Sequence, residues 1–333
     1  MDKKKILITG ASGFIGSFIA EEALRRGFDT WVAVRGSSSR RYLTDDRLHF
    51  VELDLADKQM LHGRLREMQP DYVVHAAGVT KCLRDADFFI VNAIGTANLA
   101  EAVAEECPNL RRFVFISSLS VMGPVREQQP FGEISGDDTP CPNTAYGRSK
   151  LGAEKQLARI KGLHYTVLRP TGVYGPREKD YFMMAKSIKG HVDFAAGLGR
   201  QDLTFVYVQD VVQAVFLALD KGRDGTSYFL SDGNVYPSRT FSDLIRASLG
   251  NPWLLRIKAP LWLLHLICKI CGSWSHVTGR MTALNDDKYN IMKQRNWRCD
   301  IEPARRELGY EPAYPLQKGV PLTIDWYKKN GWL

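Results

Sequence analysis

What this chain lacks narrows its class before any motif is considered. It has no apolar run near the roughly 18 residues of a membrane-spanning helix, so none is expected. The N-terminus, MDKKKILITGASG, stops short of the roughly 7–15 apolar residues of a secretion signal. Cysteine is scarce and scattered (Cys82, Cys107, Cys141, Cys268, Cys271, Cys299), which points to reduced thiols in the cytoplasm rather than a disulfide framework. Low-complexity tracts and internal repeats are absent, which excludes disordered, fibrous and solenoid classes. The net charge is +8, but Lys and Arg are spread along the chain. A nucleic-acid binder would cluster them on one face. The charge is read as a solvated surface with some provision for an anionic phosphate ligand.

What is present is a chain of 333 residues, 44% hydrophobic, enough for one large α/β unit or two domains sharing a cleft. Its first half alternates apolar runs with helical spacing. KKILITG, TWVAVR, HFVELDL, DYVVHAAG, RFVFISS and HYTVLRP read as strands. FIGSFIAEEALRRG, DKQMLHGRLREM, FFIVNAIGTANLAEAVAEE and about 145–161 read as helices. Continuous apolar strands joined by helices form a parallel sheet covered on both faces, so a doubly wound α/β architecture is expected.

Between the first strand and first helix lies TGASGFIG, with Gly10, Gly13 and Gly16. Glycines there allow a tight turn, close approach of backbone to a pyrophosphate, and close helix–strand packing. The helix N-terminus then presents free N–H groups to phosphate. A glycine pattern alone is weak, but at a strand-to-helix junction it is specific. About 20 residues on, an acid selects NAD and an arginine accommodates the extra phosphate of NADP. Arg35 stands there, followed by Ser37 to Ser39 and Arg40, so NADP is expected as the preferred cofactor, with NAD the alternative. Asp54, ending the third strand, is placed to meet the adenine amine or to serve as a turn residue.

TGASGFIG, Asp54–Leu55, HAAG at 75–78, VNAIGTANL at 91–99, SSLSVMG at 117–123, YGRSK at 146–150, RPTGVYGP at 169–176 and FVYVQDVV at 205–212 occur in one order over nearly the whole chain. In this the chain resembles the extended short-chain dehydrogenases/reductases, the NAD-dependent epimerase/dehydratase family. The resemblance implies a Rossmann domain over 1–170 plus about 202–221, and a smaller discontinuous C-terminal substrate lobe over 171–201 plus 222–333. It implies Ser118, Tyr146 and Lys150 as the catalytic triad, with Asn92 steadying the adjoining helix. It implies cofactor contacts from Gly10, Ser12, Gly13, Phe14, Ile15 and Gly16, from Arg35 and Arg40, from Asp54 and Leu55, from Ala76, Ala77 and Gly78, and from Lys150, Pro170 and Val173. A homodimer and no metal are also implied. The chemistry agrees: Tyr146 and Lys150 share a helix face at i and i+4, and a cation beside a phenol near pKa 10 favours phenolate.

The chain departs from its relatives in ways that bear on substrate. Leu119 and Ser120 follow Ser118, where sugar 4,6-dehydratases carry Asp-Glu, so no second acid/base pair is available to drive elimination. Nucleotide-sugar epimerases show Arg-x-Phe-Asn-Val-Tyr-Gly-Pro; here Arg169-Pro170-Thr171-Gly172 stands instead, without the Asn that seats a diphosphate. Leu203 takes the place of a diphosphate-binding Arg upstream of Asp210, with Arg200 near enough to substitute. The form RPTGVYGP is similar to the branch of 3β-hydroxysteroid dehydrogenases and dihydroflavonol-4-reductases. The resemblance therefore implies an NADP-dependent dehydrogenase or reductase of a bulky, mostly apolar alcohol or ketone. The alternative is a nucleotide-sugar epimerase using the same triad with tightly held NAD.

The segment from Asn251 to Arg280 is unusual. It holds Trp253, Trp262 and Trp274, a dense Leu/Ile run, and Arg256, Lys258 and Lys269. It is read as a helical wall of the substrate lobe, with a membrane-facing surface over 253–274 as the less favoured reading. Cys268 and Cys271 within it are read as core filling.

Overall fold

The computed structural model describes residues 3–128, 130–278 and 285–333, and within 272–278 the backbone only. The expected alternation is there. β1 (Lys5–Thr9), α1 (Phe14–Arg25), β2 (Asp29–Val34), β3 (His49–Glu52), α2 (Lys58–Met68), β4 (Tyr72–His75), a short α3 (Asp85–Phe88), a π-helical turn (Phe89–Ile94) continuing into α4 (Gly95–Glu106), β5 (Arg112–Ile116), α5 (Ala145–Leu157) and β6 (Tyr165–Pro170) follow one another. The second half supplies β7 (Gly172–Tyr174), α6 (Asp180–Lys189), β8 (Val192–Ala196), β9 (Asp202–Leu203), β10 (Phe205–Tyr207), α7 (Val208–Lys221), β11 (Thr226–Leu230), β12 (Tyr236–Pro237), α8 (Thr240–Ser248), β13 (Leu255–Ala259), α9 (Leu261–Thr278), α10 (Asp286–Lys293), α11 (Glu302–Leu308) and α12 (Leu316–Lys329).

Seven strands form one parallel sheet in the order β11-β6-β5-β4-β1-β2-β3. Because side chains alternate along a strand, each central strand feeds two cores. Ile6, Ile8, Val74, Val114 and Leu168 face one core, shared with α1 and α7. Leu7, Val73, Phe113, Phe115 and Val167 face the other, under α2, α4 and α5. This is the doubly wound fold that the run of apolar strands implies. Its strand order reverses between β1 and β4, the place where such sheets open a ligand crevice.

Several elements differ from expectation. Residues 226–230, assigned to the lobe, form edge strand β11 and pair in parallel with β6; the apolar run TSYFL completes the sheet after α7. Phe205–Tyr207, expected to rejoin that sheet, pairs instead with β7 in a separate two-stranded unit, and only α7 returns to cover the sheet. The helix at 145–161 ends at Leu157. Leu255–Ala259, expected as helix, is a strand paired in parallel with β8. The Trp274 side chain and Arg280 lie outside the described residues. Among the described residues no helix is long and apolar enough to cross a membrane.

Candidate active site

Two cavities meet the C-terminal edge of the sheet. The smaller, about 240 Å³, lies over the β1–β4 switch point and is lined by Gly10, Ser12, Gly13, Arg35, Ser38, Asp54, Leu55, Ala76, Ala77 and Gly78, among others. Its floor is built for something that approaches backbone closely. Gly10 has φ +71°, and a Cβ there would stand 2.5 Å from Ala76; a Cβ on Gly16 would stand 2.2 Å from the Gly10 carbonyl. The first turn of α1 follows, with Gly13 as an N-cap that offers no side-chain hydrogen bond and no acid in that turn. Its N–H groups are thus left for an anion. These features fit a dinucleotide, which would rest its pyrophosphate on this turn.

Not every expected contact reaches this cavity. Arg35 does, its amide accepted by Ser38 Oγ at 2.9 Å. Arg40 instead lays its guanidinium 4.4 Å over the Phe50 ring, a cation–π contact that draws it aside. Phe14 meets Phe18 edge-on, Ile15 packs on the core, and Gly16 sits buried behind Gly10. Val173 is half-buried within β7, and Pro170 lines the second cavity. Asp54 serves both readings: it lines the cavity and accepts the Ala56 amide at 2.9 Å in the turn that starts α2.

Ser118 stands just past the end of β5, where its Oγ accepts the Ser120 amide at 3.2 Å. Tyr146 lies in the first turn of α5. Burial pushes its phenol up to about 12, and a hydrogen bond with Ser118 pulls the other way. Lys150, one turn on and 4% exposed, donates from Nζ to the Ile116 carbonyl at 2.6 Å and lies 4.3 Å over the Phe115 ring. Burial brings its ammonium down to about 7, against a smaller opposing pull from Glu154. A Cβ on Gly78 would lie 3.7 Å from Lys150 Nζ, so the smaller cavity ends beside the lysine. The structure thus brings together Ser118, Tyr146 and Lys150.

Asn92 lies next to them: a Cβ on Gly78 would be 3.0 Å from Asn92 Oδ1 and 3.7 Å from Lys150 Nζ. From the π-helical turn, its Oδ1 accepts the Val79 amide at 2.8 Å and its Nδ2 donates to the Val79 carbonyl at 3.0 Å and to Ser149 Oγ at 2.9 Å. It ties the loop after β4 to α5 by direct bonds.

Other groups that position the site could not be read from sequence. Asp287 of α10 accepts the Ala145 amide at 2.9 Å and the Tyr146 amide at 3.1 Å, while Thr144 Oγ1 accepts the Gly147 amide at 2.9 Å. The start of the helix bearing Tyr146 is capped twice. Behind it, Arg169 of β6 makes a paired contact with Glu154 of α5, at 2.6 and 3.1 Å, and Ser117 bonds the same carboxylate. The Thr144 cap is local, but the Asp287 and Glu154 pairings join separate elements and leave no local signal.

The larger cavity, about 370 Å³, runs from Ser118 and Pro170 into the lobe. Its wall is mostly apolar, with Tyr181, Phe194, Leu203, Phe205 and Trp297, but Arg239, Asp193 and Ser242 add a polar cluster. Buried Asp193 accepts from Arg239 Nη1 at 2.5 Å and from Ser242 Oγ at 3.3 Å. Leu203 lines the cavity, and Arg200 turns away to pair with Asp202 at 2.7 Å. The cation at this site is Arg239, not Arg200.

Comparison with known proteins agrees with this architecture. The chain is 28% identical over 360 residues to a dTDP-glucose 4,6-dehydratase of Xanthomonas campestris, covering 97% of this chain and 93% of that one. The structure of a UDP-glucose 4-epimerase from Thermotoga maritima, with UDP-glucose, is similar at 25% identity and TM-score 0.78, covering 98% and 99% of the two chains. The Bordetella bronchiseptica enzyme WbmH in complex with NAD+ matches at 25% identity and TM-score 0.78, over 98% of this chain and 99% of that one. A family model matches residues 6–230, and with it the chain belongs to the NAD dependent epimerase/dehydratase family.

Proposed function

We propose that this enzyme oxidises and re-reduces a secondary alcohol of a nucleotide-linked sugar, acting as an epimerase with a retained NAD. The observation that carries this reading is the run of the larger cavity from Ser118, beside Tyr146, to Arg239 in the lobe. It offers a reacting hydroxyl one end and a diphosphate a cation at the other. Similarity to proteins named as UDP-glucose 4-epimerase and dTDP-glucose 4,6-dehydratase favours a sugar over a steroid-like ketone. The bound nicotinamide supplies a reversible hydride acceptor. Ser118 holds the substrate oxygen by its hydroxyl, and Tyr146 takes the hydroxyl proton and later returns it. Lys150, as a cation, lowers the cost of the phenolate. The missing Asp-Glu pair after Ser118 supports epimerisation over elimination.

A second reading is an NADP-using carbonyl reductase. It is favoured by Arg35 in the wall of the smaller cavity and Leu203 in that of the larger. The two readings separate on one measurement: denature fresh protein and identify the released nucleotide by mass. Near-stoichiometric NAD supports the epimerase. An empty site, or a little freely exchanging NADP, overturns it in favour of the reductase.

A further inference from the structure

The lobe exposes more apolar surface than its own packing explains. Along α9, Leu264 and Cys268 are buried, yet Trp262, Leu266 and Ile270 stand 69%, 51% and 61% exposed. Their i, i+4, i+8 spacing aligns them as one stripe on the outer face. β13 leads into α9 through Pro260 and is an edge strand paired only with β8. In register, Ile257 lies opposite Phe194. Leu255, Ile257 and Phe194 therefore share one face of the ribbon, and all three are exposed. Arg256, on the other face, turns toward Asp193 and Asp243. Contiguous exposed apolar surface on this scale marks an interaction site.

The charge around it narrows the partner. From Leu244 to Asn285 the chain carries Arg246, Arg256, Lys258, Lys269 and Arg280 and not one Asp or Glu. Lys258, on the same face of the ribbon as Arg256, and Lys269, next to Ile270 on α9, are both exposed. An apolar helix face with tryptophan at its start, in a stretch whose own charges are all cationic, suits the boundary between acyl chains and anionic headgroups. A soluble acidic protein would meet the cations but leave little use for Trp262, Leu266 and Ile270 in one line.

We propose that the β13–α9 face docks the enzyme on an anionic lipid bilayer. Phe194 belongs both to this face and to the wall of the larger cavity, so docking sets that cavity beside the membrane. The test is co-sedimentation of the full chain with vesicles of phosphatidylcholine, alone or with phosphatidylglycerol, at low and high salt. No substrate is present, so the result does not depend on the reaction catalysed. The protein should sediment with the anionic vesicles and weaken with salt. W262E/L266E should lose roughly tenfold or more in partitioning, and K258E/K269E a comparable amount. Circular dichroism and the thermal midpoint should be unchanged, since all four side chains are exposed. Failure to sediment with anionic vesicles overturns the proposal, as does equal sedimentation of both variants and the parent. A shift of W262E/L266E to a smaller species on gel filtration also overturns it, because the face would then join two copies of the chain.

Discussion

The two cavities are built by opposite means. The smaller takes its walls from five short stretches, four at the ends of β1, β2, β3 and β4 and a fifth, Ile90, Val91 and Gly95, where the π-helical turn passes into α4. The larger takes its polar cluster from β8 and from around the start of α8, segments more than forty residues apart. The first is fixed by backbone: glycines that admit no Cβ and amides left uncapped. The second is fixed by side chains: an Arg239–Asp193 pair and an apolar wall. The difference teaches where generality and specificity reside. A site made of backbone serves one ligand in any member of the fold, whereas a site made of distant side chains can be rewritten without disturbing the sheet.

The largest effect should come at the seam between them. Tyr146→Phe removes the group that moves the proton and should cut turnover by roughly 10²–10⁴, while cofactor affinity, measured by fluorescence titration, stays near the parent's. Retained turnover would sink the role given to the phenol. The contrast itself is sharpened by a pair of substitutions. Gly16→Ala forces a methyl against the Gly10 carbonyl and should cost about 1–3 kcal/mol of stability, with a parallel loss of cofactor binding. Arg239→Gln keeps a hydrogen bond for Asp193 but removes the cation; it should raise KM roughly 10–100-fold and leave cofactor affinity alone. If Gly16→Ala spared the cofactor, or Arg239→Gln weakened it, the two cavities would not be the separate devices described.

The smallest effect is a pH dependence. Burial holds Lys150 near 7 in the fold, against about 10.4 in an unfolded chain. Between those values the unfolded chain binds the extra proton, so this group makes stability rise with pH. The penalty for burying its charge is fully felt below about 7 and relieved toward 10. Urea unfolding of the parent and of Lys150→Met at pH 7 and 9.5 should show the parent gaining on the variant at the higher pH. A difference that stays flat would mean the ammonium remains charged in place, held by Glu154.

What could be read in the sequence follows the same division. Gly10, Gly13 and Gly16 announce their turn because backbone demands are local. Tyr146 and Lys150 share a helix face at a spacing common by chance, and the resemblance of the surrounding motifs singles them out. Arg40 stacks on Phe50 outside the smaller cavity, a contact that nothing local in the sequence announces. The expected boundary near 221 missed β11, because an edge strand after a long helix looks like any other apolar run until its partner is known. Arg239 and Asp193 carried no signal at all, being paired across 46 residues. Asn92 was expected by resemblance to steady the adjoining helix, but its partners, Val79 and Ser149, could not be read locally.

The carboxylate of Asp287 has a wider meaning than a helix cap. It belongs to the lobe, yet it grips the very amide of Tyr146. The helix carrying Tyr146 is therefore held from two sides, by Glu154 and Arg169 on the sheet side and by the lobe in front. A displacement of α10 would pull on its first turn through two hydrogen bonds, to Ala145 and Tyr146. The lobe is in this sense the tuning peg of the reaction as well as the mould of its substrate.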